Sequence, residues 1–364
     1  MKVVEIIPSF HPPGGAQTFV SSLIKAFRKL DNVSLEVVSL YDKKGFINEE
    51  LEKADIRIHY LNKKTGVDFH TSNQLRRLIY KIKPDIIHIH IASVNTLFLS
   101  GLLKRRAPYS VFYTIHSIAS KDARIIPSAI LKCMFHRQII TPISISPEVS
   151  KTVKEKYNLS VHPVIYNGID VMKFSCNTDL KNRLNDFIHV GSFSEVKNHL
   201  FLIESFAELV KTHPTAKLTL VGDGPLLETA KEKASTLGVN GNIAFMGMRR
   251  DVSTLLQSHK FFLLPSLYEG NPISILEAMA AGLVVIASKT GGIIDIIDTK
   301  RNGYLFEIND KWGFVKLMSN AIESLDDQRL ISKNNMNDSL RYDIDATARE
   351  HYELFESKKS VFRW

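Results

Sequence analysis

The sequence predicts an α/β protein made of two doubly wound domains, each built around a parallel sheet. Its 364 residues exceed what one hydrophobic core usually organises, so two domains are expected. Short apolar runs alternate with amphipathic stretches along almost the whole chain, as expected for strands that are buried on both faces and separated by helices. A hydrophobic content of 44% and a charged content of 23% are ordinary for a globular protein.

The predicted strands form one series in each half of the chain. They cover residues 3–7, 35–40, 86–89 and 111–115 in the first half, and residues 187–190, 217–221, 242–245, 260–264 and 284–287 in the second. Polar residues and glycine accumulate at residues 167–185, where we place the boundary. We therefore expect a first domain at residues 1–175, a second at residues 176–345 and a terminal helix at residues 346–364. Two Rossmann-like domains would face each other across a cleft.

Composition also predicts the compartment. Cys133 and Cys176 match no metal spacing, which favours free thiols in a reducing, cytoplasmic environment. The first apolar run is short and contains Glu5, so it does not resemble a signal peptide. No apolar run reaches the length of a membrane span.

The net charge of +9 is unevenly distributed. Residues 1–185 hold 27 basic and 15 acidic side chains (+12), whereas the remainder hold 20 and 23 (−3). This asymmetry indicates either an anionic partner for the first domain, such as a membrane surface or a lipid-linked acceptor, or simply a solvated lysine-rich surface. We expect no nucleic-acid partner, because interleaved aromatic residues and a recognisable binding module are both lacking.

The strongest motif covers residues 265–282, directly after a predicted strand. Asn271 is a suitable N-cap, and Pro272 suits the first helical position. The N–H groups at the start of the helix can hold a phosphate. Glu269 and Glu277 flank this point, which suits a ligand that carries ribose and sugar hydroxyls beyond its phosphates. The alternative is a capped surface helix with incidental acids.

Three further positions follow predicted strands. Lys197 could neutralise a diphosphate leaving group, unless it is a solvated loop lysine. Gly14 and Gly15 would let the backbone approach a phosphate or sugar, although their spacing is not the dinucleotide fingerprint. His116 could donate a hydrogen bond to a sugar hydroxyl.

His88 and His90 share one face of a predicted strand, because side chains two residues apart point the same way. No third ligand is apparent in the sequence. We therefore expect these histidines to serve packing or loop ordering rather than metal binding.

Together these segments resemble the family 4 retaining glycosyltransferases of the GT-B fold. The resemblance extends over nearly the whole chain, and its most specific part is the pair Glu269 and Glu277 with seven residues between them. The matching segments are residues 14–17, 88–90, 114–117, 144–146, 166–170, 197–198, 220–225, 265–282 and 290–292.

The resemblance implies transfer of a sugar from a nucleotide-diphosphate sugar, with a UDP-sugar favoured, to a hydroxyl acceptor in surface-polysaccharide or lipid-linked glycan assembly. It implies a retaining, front-face mechanism without a metal or other cofactor. The reaction would take place in the cytoplasm, with peripheral association at the inner face of the cell membrane. The terminal helix would cross back onto the first domain.

The resemblance also implies roles for individual residues. His116 and Glu269 would contact the donor sugar as the catalytic residues, and Glu277 would bind the ribose. The diphosphate would be held by the side chain of Lys197 and the segment Gly270, Asn271, Pro272 and Ile273. The loop with Gly14 and Gly15 would close over the donor.

Two departures from the family pattern bear on the donor site. Ser192 stands where many members carry an arginine, so that Lys197 acts without this partner or Arg249 or Arg250 compensates. Asp295 stands where the pattern has glutamate. Ser192, Arg249 and Asp295 are thus additional candidates for the donor site.

Two other functions are compatible with these features. A nucleotide-sugar 2-epimerase would share the fold but would need no acceptor. A non-catalytic nucleotide-sugar-binding subunit is the other alternative, and the serine at position 192 is its only support.

Overall fold

A computed structural model describes residues 1–91, 94–119, 128–176, 178, 180–299 and 301–364. The chain divides into two compact units, one comprising Met1–Gly168 with Ile344–Trp364 and the other comprising Ile169–Asp343. The boundaries between the units follow residues 168 and 343, so both lie before the predicted boundaries, which follow residues 175 and 345. The two ends of the second unit are joined by a 2.8 Å hydrogen bond from the Ile169 N–H to the Tyr342 carbonyl, which places both residues in that unit.

Six parallel strands form the sheet of the first unit, in the order β3-β2-β1-β4-β5-β6. They are β1 (Lys2–Ile7), β2 (Ser34–Ser39), β3 (Ile58–Tyr60), β4 (Ile86–His90), β5 (Ser110–Ile115) and β6 (Thr141–Ser144). The sequence analysis missed β3 and β6, which are the two edge strands and the shortest of the six. β4 is buried along its entire length, as expected for a central strand with helices on both faces.

Six helices accompany this sheet within the described parts of residues 1–168. They are α1 (Gly15–Phe27), α2 (Phe46–Lys53), α3 (Phe69–Ile82), α4 (Val94–Leu99), α5 (Ser128–His136) and α6 (Pro147–Tyr157). Local signals define several of their ends. Asp68 caps α3 by accepting a 2.9 Å hydrogen bond from the Thr71 N–H, and Ser146 caps α6 in the same way before Pro147.

The second unit repeats the architecture. Its strands are β7 (Leu184–Val190), β8 (Leu218–Val221), β9 (Ile243–Gly247), β10 (His259–Leu264), β11 (Val284–Ser288) and β12 (Gly303–Phe306). All are parallel, in the order β12-β11-β10-β7-β8-β9. The accompanying helices are α7 (Val171–Phe174), α8 (His199–Thr212), α9 (Leu227–Thr236), α10 (Val252–Ser258), α11 (Ile273–Ala280), α12 (Lys311–Glu323) and α13 (Leu325–Ser339). The predicted class, α/β with two parallel-sheet domains, is confirmed.

The last helix, α14 (Ile344–Ser357), belongs to the first unit and packs against α1. Phe355 is fully buried there, with its ring 6.0 Å from that of Phe27 and 4.6 Å from that of Phe112. No helix within the described ranges is both long and apolar enough to cross a membrane.

Each sheet has one point at which the direction of winding reverses. In the first sheet this switch point lies between β1 and β4, and in the second it lies between β7 and β10. In open parallel sheets, ligands bind outside the carboxyl ends of the strands at such points. The predicted motifs follow these strands in both units.

Candidate functional site

The switch point of the second sheet brings a lysine and a glutamate together. Lys197 ends a short 3-10 helix after β7, and Glu269 lies in the loop after β10. The Lys197 Nζ is 2.5 Å from the Glu269 Oε1, and the two side chains are only 18% and 11% exposed. A largely shielded ion pair thus occupies the carboxyl edge of the sheet, where the solvated-loop interpretation of Lys197 does not apply.

The loop from β11 holds the backbone at Glu269. The Gly292 N–H donates a 3.0 Å hydrogen bond to the Glu269 carbonyl. Gly291 has a φ of +48°, and a Cβ there would lie 2.1 Å from the same carbonyl oxygen. Only glycine therefore permits this approach, and the segment at residues 290–292 fixes the position of Glu269.

The helix expected to bind a phosphate begins one residue later than predicted. Pro272 is the N-cap of α11, and Ile273 is its first residue. The predicted cap at Asn271 is thus wrong, because the extended backbone of Pro272 (ψ 111°) separates Asn271 from the first turn. Gly270, Asn271, Pro272 and Ile273 are all buried and lead directly into the turn whose N–H groups have no acceptor within the helix.

Glu277 lies on the next turn of α11 and is 8% exposed. Burial raises the pKa of its carboxyl to about 8, and the positive charge of Lys173 opposes this increase. Within the described ranges, its carboxyl has no hydrogen-bond partner. A buried acid in this state can accept hydrogen bonds from vicinal hydroxyls once a ligand supplies them.

Two of the additional candidates, Ser192 and Arg249, make contacts of their own. Ser192 is exposed, and its hydroxyl is 3.3 Å from that of Ser194. Arg249 forms a bidentate ion pair with Asp251, with distances of 2.8 and 2.6 Å. The suggestion that Arg249 compensates for Ser192 therefore receives no support, because its guanidinium already pairs with another carboxylate.

Asp295 lines a cavity of about 490 Å³ in the second unit, together with Arg301 and Asp338. Lys197, Glu269 and Glu277 are not among its lining residues.

The switch point of the first sheet holds a buried network instead. Glu5 on β1 is opposite His88 on β4 in the strand register. The Glu5 Oε2 is 2.7 Å from the His90 Nε2 and 3.0 Å from the His88 Nδ1, and all three side chains are fully buried. The His88 Nε2 is 2.8 Å from the Thr114 hydroxyl.

His116 extends this network. It follows β5, and its Nε2 is 3.0 Å from the His90 Nδ1. Burial lowers the pKa of His116 well below its usual value and that of His90 to about 4, so both rings are neutral near pH 7. Burial disfavours the charged form of Glu5, but the interactions with His88 and His90 prevail and lower its pKa to about 2.

Glu5 is the member of this network that was not predicted from the sequence. Its ligand atoms and those of His88 and His90 lie within 4.8 Å of one another, so a third possible metal ligand exists after all. The oxygen and nitrogen atoms are already joined by direct hydrogen bonds, and an ion between them would require both histidines to give up those bonds. The available signal was a glutamate inside an otherwise apolar first strand.

Gly14 and Gly15 lie at the start of α1, which follows β1. Gly14 occupies the N-cap position with an extended backbone and no side-chain cap, and α1 begins at Gly15. Phe19, on the next turn, packs its ring edge-on against His116 with a centroid distance of 5.8 Å. The two glycines thus begin a helix that contacts the histidine network.

Comparisons with known proteins match the chain to glycosyltransferases. The family model described as Glycosyltransferase Family 4 matches residues 13–173, and the one described as Glycosyl transferases group 1 matches residues 174–338. A Staphylococcus aureus capsular polysaccharide biosynthesis glycosyltransferase, CapH, is 28% identical over 95% of this chain and 96% of its own. An Escherichia coli UDP-Gal:alpha-D-GlcNAc-diphosphoundecaprenol alpha-1,3-galactosyltransferase is 29% identical over 71% of this chain and 70% of its own.

A solved structure shares the fold. The crystal structure of Anabaena HepE in complex with UDP-glucose superposes with a TM-score of 0.83 and 20% identity, covering 98% of this chain and 100% of that one.

Proposed function

This chain belongs to the glycosyl transferases of group 1, and from that premise we propose that it transfers a hexosyl group, with retention of configuration, from a UDP-sugar to a hydroxyl acceptor. The acceptor is part of a surface polysaccharide or a lipid-linked glycan. This assignment is supported by the E. coli and S. aureus relatives, whose names describe such reactions.

The ion pair between Lys197 and Glu269 is the observation that carries the proposal. A diphosphate that enters this edge of the sheet competes for the Lys197 ammonium, because phosphate oxygens are strong acceptors for charged donors. The Glu269 carboxylate is then released to accept hydrogen bonds from hydroxyls of the donor sugar. The lysine neutralises the negative charge that develops on the departing UDP. Stabilising this charge in the transition state accelerates the reaction.

The family resemblance supplies the other contacts of this proposal. Glu277 accepts hydrogen bonds from the ribose hydroxyls, and the amides at the start of α11 bind the diphosphate. His116 contacts the donor sugar near the reacting carbon. The departing phosphate removes the proton of the acceptor hydroxyl on the same face of the sugar, so neither a side-chain nucleophile nor a metal is needed.

The test is nucleotide release by the purified protein with UDP-, GDP- and ADP-sugars, with and without a membrane extract as acceptor and with and without a chelator. We expect release from a UDP-hexose that increases with the extract and is unaffected by the chelator. Conversion of the donor to its 2-epimer without any glycoside would support the epimerase. Binding without turnover on any acceptor would support the non-catalytic alternative.

We also propose that the first unit docks at an anionic membrane surface. Val67 and Phe69 are each 69% exposed; Val67 lies on the same loop as Lys63 and Lys64, and Phe69 begins α3 directly after it. Apolar side chains beside lysines favour the interface of anionic lipids. Flotation with phosphatidylglycerol vesicles should decrease in the double variant Val67→Ser and Phe69→Ser but not in Val361→Ser, which changes another exposed valine. Equal flotation on neutral phosphatidylcholine vesicles would contradict the proposal.

A further inference from the structure

The histidine network of the first unit forms a continuous line of hydrogen bonds. It runs from the Glu5 Oε2 to the His90 Nε2 at 2.7 Å, and from the His90 Nδ1 to the His116 Nε2 at 3.0 Å. Each ring nitrogen in this line faces one polar atom. The line therefore constrains where each proton resides.

The direction of each hydrogen bond follows from the carboxylate end. One oxygen of Glu5 lies within 3.0 Å of nitrogens on both His88 and His90, and an ionised carboxylate can only accept. His90 thus donates from Nε2. A neutral imidazole carries a single N–H, so the His90 Nδ1 is an acceptor, and His116 must donate to it from Nε2.

We propose that Glu5 and His90 are positioning residues that hold His116 as its Nε2–H tautomer, so that the His116 Nδ1 accepts a hydrogen bond from the donor sugar. This inference rests on the proposed function. It reverses the expectation from sequence that His116 donates to a sugar hydroxyl. The low pKa values of Glu5, about 2, and of His90, about 4, agree with the assigned protonation states.

The state of the Nδ1 atom supports this role. Within the described ranges it has no hydrogen-bond partner and almost no contact with solvent, although the His116 side chain as a whole is only partly buried. A buried acceptor without a donor is unfavourable, and a ligand that supplies the missing hydrogen relieves this cost.

The lone pair on the His116 Nδ1 determines which chemical class of donor sugar is preferred. A group that faces the Nδ1 lone pair must carry a hydrogen, as a hydroxyl or an amide N–H does. A hexuronate presents an ionised carboxylate in place of the primary hydroxyl and has no hydrogen to donate from that group. The network therefore selects neutral hexoses against hexuronates where this group meets His116.

The first test is spectroscopic and needs no substrate. Long-range proton–nitrogen correlation spectra of the histidine-labelled protein report which ring nitrogen carries the proton, and His116→Gln identifies the His116 signals by their loss. We expect His116 to be protonated at Nε2 in the wild type. Protonation at Nδ1 would overturn the proposal.

Two variants separate positioning from packing. His90→Phe removes the acceptor for the His116 Nε2 proton and should produce a mixture of tautomers. Phe19→Leu alters the ring that packs against His116 but carries no polar atom, and it should leave the tautomer unchanged. An unchanged tautomer in a folded His90→Phe protein would also overturn the proposal, and if this variant does not fold, the wild-type spectrum still decides.

The second test measures binding of UDP-glucose and UDP-glucuronate to the wild type and both variants. We expect the wild type and Phe19→Leu to prefer UDP-glucose by about threefold, near the lower end of the value of one neutral hydrogen bond, and His90→Phe to lose this preference. Equal or tighter binding of UDP-glucuronate by the wild type would contradict the selectivity. If neither compound binds and UDP itself does not bind either, the proposed function fails, while the spectra still decide the tautomer.

Discussion

The two switch points share a strand order but differ in their chemistry. Between β1 and β4, Glu5 and two histidines are fully buried and joined by hydrogen bonds of 2.7 and 3.0 Å. Between β7 and β10, Lys197 and Glu269 form an ion pair that retains some exposure. The first arrangement has each of its protons fixed before a ligand arrives, whereas the second must exchange one partner for the ligand. The same strand order thus carries a rigid hydrogen-bond network in the first unit and, in the second, an ion pair that rearranges when a ligand binds.

The largest effect is expected from removing Lys197, the cation of the ion pair at the second switch point. In Lys197→Ala the leaving diphosphate loses its positive partner, and we expect kcat to fall by about a hundredfold to a thousandfold. Steady-state UDP release measures this. Lys211→Ala is the matched control, because Lys211 is a surface lysine of α8 paired only with Glu208 in the described structure. Equal rates for the two variants would show that Lys197 has no role in transfer.

The second effect concerns stability and depends on pH. Glu277 has a pKa near 4.5 when unfolded and about 8 when folded, so folding takes up a proton between these values. Protonated Glu277 therefore makes its full contribution to the free energy of unfolding below pH 4.5, and this contribution is lost as the pH rises through 8. Glu277→Gln keeps the shape but cannot ionise, and it should be more stable than the wild type by about 3 kcal/mol at pH 7.

Denaturant unfolding of both proteins at pH 4 and at pH 7 measures this difference. The two free energies of unfolding should be similar at pH 4 and should separate as the pH rises. A constant difference across this range would mean that the pKa of Glu277 is the same in the folded and the unfolded protein.

The smallest effect is expected at the rigid switch point. His116→Ala removes one neutral hydrogen bond to the donor sugar, and we expect kcat to fall by about tenfold with a smaller change in donor affinity. Turnover and calorimetric binding of the donor, measured together, test this. Equal losses in both would place His116 away from the reacting carbon.

Much of this arrangement could be predicted from the sequence, because it depends on local patterns. The buried strands β1, β4, β10 and β11 appear as apolar runs, and the residues that follow strands mark the sheet edges. The short edge strands β3, β6 and β12 were missed, since three or four residues carry little periodicity.

Contacts between distant residues could not be predicted. The ion pair joins residues 72 positions apart, and Glu5 meets His90 across 85 positions, so both depend on which strands become neighbours. The start of α11 differs by one residue from the prediction, because Pro272 suits both the cap and the first turn.

The role of the second switch point is tested most directly by the affinities of UDP and 2′,3′-dideoxy-UDP for the wild type and for Glu277→Ala. The substitution should weaken UDP binding by about thirtyfold, the value of two hydrogen bonds between the ribose hydroxyls and the buried carboxyl group. It should leave dideoxy-UDP binding nearly unchanged, because the hydroxyls that Glu277 would bind are already absent. If the substitution weakens both ligands equally, Glu277 does not hold the ribose and the proposed donor site is wrong.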